Sequence, residues 1–156
     1  MGATTTAFKN LLKQLQADFP ELHFAPGTRY YWSMRNKTVY FDEDDADNAP
    51  LLLHETAHGL LGHDSYGIDI ELIALEREAW TRADELAKTY AVHIADNVRE
   101  DSLDSYRDWL HTRSLCPHCT QSGLQTSGDE YQCVVCSAKW RVNDAKTCGL
   151  RRTIIN

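Results

Sequence analysis

The 156-residue chain lacks any apolar run near the ~20 residues that a membrane-spanning helix requires. It also lacks internal repeats and low-complexity tracts, and it has no cysteine before position 116. The first absence excludes a helical membrane protein, and the second excludes solenoids and repeat arrays. The third confines all thiol chemistry to the C-terminal end. Met1 to Lys13 has no cationic stretch leading into an apolar core, so no secretory signal is expected and the cytoplasm is the expected compartment. With 42% hydrophobic and 25% charged residues, the remaining class is an ordinary folded protein. It is long enough for one domain of about 110 residues with a small satellite.

Sixteen basic against 23 acidic residues give a formal net charge of −7, which argues against whole-surface attraction to nucleic acid. The charge is uneven. From position 114 onward Lys139, Arg141, Lys146, Arg151 and Arg152 outnumber Asp129, Glu130 and Asp144, so the acidic excess lies wholly in the first 113 residues. This shift coincides with the cysteines and sets the expected boundary: residues 1–113 as one domain and 114–156 as a second, cysteine-rich one.

Phe8, Leu11, Leu12 and Leu15 recur at i, i+3, i+4, i+7, which predicts an amphipathic helix over 5–18, stopped by Pro20. Leu22–Phe24, Tyr30–Met34 and Thr38–Phe41 are rich in aromatic and β-branched residues and read as strands, the last two forming a hairpin through Arg35-Asn36-Lys37. Asp47 or Asn48 as N-cap and Pro50 in the first turn predict a helix from about Ala49, closed by Gly59 and Gly62. Ile68–Val92, with Leu72, Leu75, Ala79, Ala83, Leu86 and Tyr90 at helical spacing, should be the longest helix, and a further one is expected over Asp101–Arg113.

The second helix carries His54-Glu55-Thr56-Ala57-His58, an HExxH pentapeptide. On a helix, i and i+4 face the same way, so both imidazoles can reach one metal ion while Glu55 points beside them. Two neutral histidines need a third protein ligand, and an open position then holds a water that Glu55 can deprotonate as general base. Leu51, Leu52, Leu53, Ala57, Leu60 and Leu61 make the helix apolar nearly all round, and burying two histidines and a glutamate there without a metal would be costly. For the third ligand, His63 lies ~180° from His54 on a continuous helix, and the long helix offers Glu71, Glu76 and Glu78.

TVYFDEDDADNAPLLLHETAHGLLGH and EREAWTRADELA resemble the active-helix segment and downstream Glu-Ala motif of the ImmA/IrrE family of gluzincin metallopeptidases, over roughly residues 5–95. The resemblance implies zinc held by His54, His58 and Glu78, with Glu55 as general base. Trp80 departs from the motif, standing where the family has Asn. The resemblance further implies an α+β zincin-like fold, in which a small three-stranded sheet packs on the HExxH helix and a long second helix. Thr38–Phe41 would run along the cleft and pair with an extended peptide substrate. Oxyanion stabilisation would fall to His63, Tyr66, Tyr90, His93 or Arg77.

Cys116-Pro-His-Cys119 and Cys133-Val-Val-Cys136, 13 residues apart, are paired knuckles of the kind that hold tetrahedral structural zinc. With a turn at Ser127-Gly128-Asp129 and apolar cover from Tyr131, Trp140 and Val142, the segment resembles a zinc ribbon, and Cys148 is left over. Two Zn²⁺ ions per chain are therefore expected, one catalytic and one structural. The expected partner is a protein or peptide substrate. Nucleic acid would be reached only through Trp140-Arg141 and Arg151-Arg152, and no membrane partner is expected. Two other functions fit the pattern. One is a SprT-like protease acting on DNA-bound protein, which would draw a third histidine from His93 or His111. The other is a non-catalytic, zinc-stabilised binding module that has no use for Glu55.

Overall fold

The computed structural model describes residues 5–145 and 149–156. Cys148 falls outside them. The chain is α+β, with helices α1 (Thr6–Asp18), α2 (Ala49–Leu61), α3 (Asp69–Tyr90) and α4 (Asp96–Ser114). A three-stranded sheet is formed by β1 (His23–Gly27), β2 (Tyr31–Ser33) and β3 (Thr38–Asp42). A four-stranded sheet is formed by β4 (Gly123–Gln125), β5 (Glu130–Cys133), β6 (Lys139–Val142) and β7 (Arg152–Ile155). Among the described residues no helix is long and apolar enough to cross a membrane.

Thr5 caps α1 by accepting from the Phe8 amide, and Phe8, Leu11 and Leu15 are its buried face. In the first sheet the order is β1-β3-β2, with β1 parallel and β2 antiparallel to β3. The hairpin through Arg35-Asn36-Lys37 forms as its sequence predicts, with Lys37 taking the left-handed conformation at φ 52°. The strand expected to lie along a cleft, Thr38–Phe41, is instead the central strand. Both of its edges are paired, so it has none to offer a substrate, and the strand nearest the HExxH helix with a free edge is β2.

Asn48 caps α2 through its side chain, with Pro50 in the first turn, and the helix packs against β2 and β3. Gly59 does not end it. The stop is Gly62, whose φ of +68° suits a residue without Cβ. The Gly62 amide bonds Gly59 O and the His63 amide bonds His58 O at 3.0 Å, a Schellman closure that folds His63 back over the last turn.

The compact units divide the chain differently from the 113/114 boundary. One comprises the chain up to Ser65 with Leu75–Arg99; the other comprises Tyr66–Ala74 with Glu100–Asn156. The second unit is therefore more than the cysteine-rich segment. In it the Arg113 guanidinium, 3% exposed, bonds Asp69 and the Gly128 carbonyl and lies 4.7 Å over the Trp109 ring. The Arg113 carbonyl accepts from the Trp140 indole at 2.9 Å, and the Tyr131 hydroxyl donates to Asp69. The loops at Ser127-Gly128-Asp129 and after Cys133 give the expected ribbon-like meander, extended by β7, which the sequence pattern did not reveal.

Candidate metal centres

In the first unit, α2 and α3 bring the donor atoms of three residues together. His54 Nε2 lies 3.1 Å from His58 Nε2 and 3.0 Å from Glu76 Oε2, and His58 Nε2 lies 3.2 Å from Glu76 Oε1. Donors about 2.0 Å from a tetrahedral ion stand roughly 3.3 Å apart. The triangle thus has the size of a metal's ligand face. All three residues are buried, at 3%, 8% and 4% exposure.

Glu76 takes the place expected of Glu78. Two residues apart on a helix, they point ~200° from one another, so only one of them can face α2. Glu76 lies on the buried stripe with Leu72, Ala79, Trp80, Ala83, Leu86 and Ala87. The Glu78 side chain is 63% exposed and reaches His63 and not the triangle, its Oε2 3.1 Å from His63 Nε2. The stripe was visible in the sequence, since Glu76 stands four residues after Leu72 and three before Ala79.

Electrostatics follow the geometry. Burial would raise the Glu76 pKa, but hydrogen bonds from His54 and His58 outweigh it and hold the carboxyl down at about 2. Burial disfavours the charged form of His58, yet the bond and charge of Glu76, with a further pull from Glu55, leave its pKa raised. For His63 burial wins and the pKa is lowered, its neighbour His58 adding to the effect against Glu78.

Around the triangle the two histidines are held differently. The His54 ring stacks on Trp80 at 4.2 Å and 24°, and its enclosed Nδ1 has no hydrogen-bond partner among the described residues. His58 Nδ1 meets His63 Nδ1 at 2.9 Å. Glu55 Oε2 accepts from the Trp32 amide of β2 at 2.8 Å, and the Trp32 indole donates to the His63 carbonyl at 2.9 Å. Trp32 therefore ties the HExxH glutamate and the turn after α2 to one strand. Nothing in its sequence context marks that role beyond an aromatic in a predicted strand.

Of the proposed oxyanion donors, His63 touches His58 of the triangle. Tyr90 donates to Asp18 at 2.5 Å, and His93 lines a cavity of about 400 Å³ with Asp84, Lys88 and Arg99 whose lining includes none of the triangle. Neither His93 nor His111 joins the metal-type group.

The second unit gathers all four knuckle cysteines. Cys116 and Cys136 sulfurs are 3.7 Å apart and those of Cys119 and Cys133 are 3.5 Å apart. Thiolates about 2.3 Å from a tetrahedral ion stand roughly 3.8 Å apart, whereas a disulfide is ~2.05 Å, so these pairs fit a metal and are not bonded to each other. Backbone amides of Cys136 and Val135 point at the Cys133 sulfur and hold that thiol down at about 6. Beneath lie Tyr131 and Trp140, stacked at 5.6 Å and both essentially buried. Arg141 is paired with Glu130 and Asp129, and Arg152 donates to the Leu115 carbonyl.

Comparison of the chain with protein-family models, with curated proteins and with solved structures gives no match.

Proposed function

We propose that the chain is a zinc-dependent metallopeptidase in which His54, His58 and Glu76 hold the catalytic ion, Glu55 is the general base, and the four cysteines hold a structural ion. One observation carries this reading: three buried ligand-type residues, on an HExxH helix and its neighbour, whose donor atoms approach one another pairwise to 3.0–3.2 Å. Two imidazoles and a carboxylate are the donor set of zinc hydrolases, and they leave a coordination position open. Zinc bound there supplies Lewis acidity toward a carbonyl oxygen and toward water near neutral pH.

The chain's own residues supply the rest. The Trp32 amide holds Glu55 Oε2, which keeps the carboxylate from rotating and leaves Oε1 to take a proton and return it to the leaving amine. With β3 paired on both sides, β2 is the edge strand beside Glu55, its Trp32 amide already held by that carboxylate. The arrangement is of the gluzincin kind, with the glutamate 18 rather than 20 positions past the second histidine. The pairing of Arg141 and Arg152 within the ribbon weakens the case for a nucleic-acid partner.

A non-catalytic binding module is the second reading, and the Glu55–Trp32 bond is compatible with it, because that bond gives Glu55 a structural use that needs no reaction. Elemental analysis of the wild type and of His54→Ala/His58→Ala tests the site. Two zinc ions falling to one is the expected result, and one ion in both proteins overturns it. Hydrolysis of an unfolded protein substrate, abolished by Glu55→Gln with both ions retained, is expected of the peptidase. Two bound ions without hydrolysis in the wild type would favour the binding module.

A further inference from the structure

We propose that His63 and Glu78 form a hydrogen-bonded relay behind His58 that fixes the tautomer and ring orientation of that metal ligand; this rests on the metal site proposed above. Both are positioning residues that touch neither the ion nor a substrate. The relay is read from a chain of atom pairs. His58 presents Nε2 to His54 and Glu76, its Nδ1 meets His63 Nδ1 at 2.9 Å, and His63 Nε2 meets Glu78 Oε2 at 3.1 Å.

Proton placement in this chain has one consistent solution. A His58 that ligates through Nε2 must carry its proton on Nδ1. That N–H then donates to His63 Nδ1, which must be the unprotonated nitrogen, so His63 carries its own proton on Nε2 and donates it to the Glu78 carboxylate. A carboxylate at the far end suits this direction and no other, since it only accepts. Glu78 is largely in water, whereas His63 is 9% exposed and enclosed.

The backbone is built to hold the relay. The left-handed Gly62 returns His63 to the last turn of α2, its amide bonds His58 O, and the Trp32 indole bonds its carbonyl. His54 has no such support; its Nδ1 is unpartnered among the described residues and its orientation comes from stacking on Trp80. The two histidines of the motif thus differ: His58 is backed by a hydrogen-bonded chain, and His54 by ring stacking alone. Outer partners of metal-bound histidines typically account for about 10–100-fold in metal affinity.

Competition between the protein and a chromophoric chelator for Zn²⁺ tests this, with Co²⁺ spectra separating the nitrogen/oxygen site from the thiolate site. Wild type is measured first: no metal at the histidine site overturns the site itself and the relay with it. Given a loaded site, His63→Ala and Glu78→Ala are each expected to weaken it by about 10–100-fold while the thiolate-site cobalt band stays unchanged. Glu78→Gln, which keeps a carbonyl acceptor for the His63 N–H, should lose less than Glu78→Ala. The double variant should bind no worse than His63→Ala alone, because Glu78 acts only through His63. Wild-type affinity in Glu78→Ala, an exposed change that leaves folding intact, overturns the relay, and so do losses that add.

Discussion

Replacing Glu76 by Gln keeps the side chain's size and one acceptor oxygen but removes the negative charge that sits between two buried histidines. In the protein without metal at this site, the Glu76 carboxyl is held at about 2 against an ordinary 4.5. At ~1.4 kcal/mol per pKa unit the site's preference for the ionised form is worth roughly 3 kcal/mol. The sign follows from the depressed value: the contribution is present above about pH 4.5 and fades as pH falls toward 2. Glu76→Gln should therefore lose ~3 kcal/mol in urea unfolding at pH 7, run with chelator sufficient to empty the histidine site and leave the cysteine site loaded. The difference from wild type should shrink as the pH is lowered through that window. With metal present the loss has a second component. Structural zinc sites with four ligands bind with about 10–16 kcal/mol, or ~3 kcal/mol per ligand, so losing Glu76 should weaken the histidine site by ~100-fold. Glu78→Gln is the control, an exposed substitution that should change metal-free stability by no more than about 0.5 kcal/mol. Equal effects of the two substitutions on stability, or a larger metal loss from Glu78→Gln than from Glu76→Gln, would refute the assignment of Glu76 as the third ligand.

Because the bond and charge of Glu76 raise the His58 pKa above its ordinary 6.5, metal uptake should be coupled to proton release and affinity should climb as pH rises above 6.5. Calorimetry in two buffers of different ionisation enthalpy reads this directly, and a buffer-independent heat would contradict it. Gly59→Ala should destabilise the protein by about 1–3 kcal/mol in thermal melts, since its Cβ would stand 3.1 Å from the Trp32 ring and 3.2 Å from a Leu22 methyl, outweighing alanine's helix preference of up to ~1 kcal/mol. A raised melting temperature would show that Trp32 gives way freely. Cys133→Ser should cost the second unit its ion and expose the Tyr131–Trp140 stack, seen as lost hydrogen-exchange protection in β5 and β6; full protection would mean that the ribbon folds without metal.

The legible part of the molecule was the part governed by local rules. Helical periodicity gave α1 and α3, the Asn48–Pro50 pair started α2, and the hairpin residues turned where expected. Both CxxC knuckles assembled because their spacing leaves little freedom. His54, Glu55 and His58 share a helix face by geometry alone. Glu76 was equally available from the apolar stripe of α3, and the family resemblance pointed two residues past it. His63 was set aside on an angle that holds only for a continuous helix, and Gly62 breaks that helix one residue earlier.

By itself, then, the sequence determined which residue types can meet within one helix or one knuckle, because 3.6-residue periodicity and short loops fix those separations before any packing occurs. Tertiary structure decided everything that depends on a partner from elsewhere in the chain: that β3 is central with β1 and β2 at its edges, that Trp32 holds Glu55, that Trp80 stacks on His54, and that Glu76 faces inward while Glu78 reaches back to His63. The last two choices turn on which face of α3 is buried and how far its helix is rotated, quantities set by the core packing and not by any window of sequence.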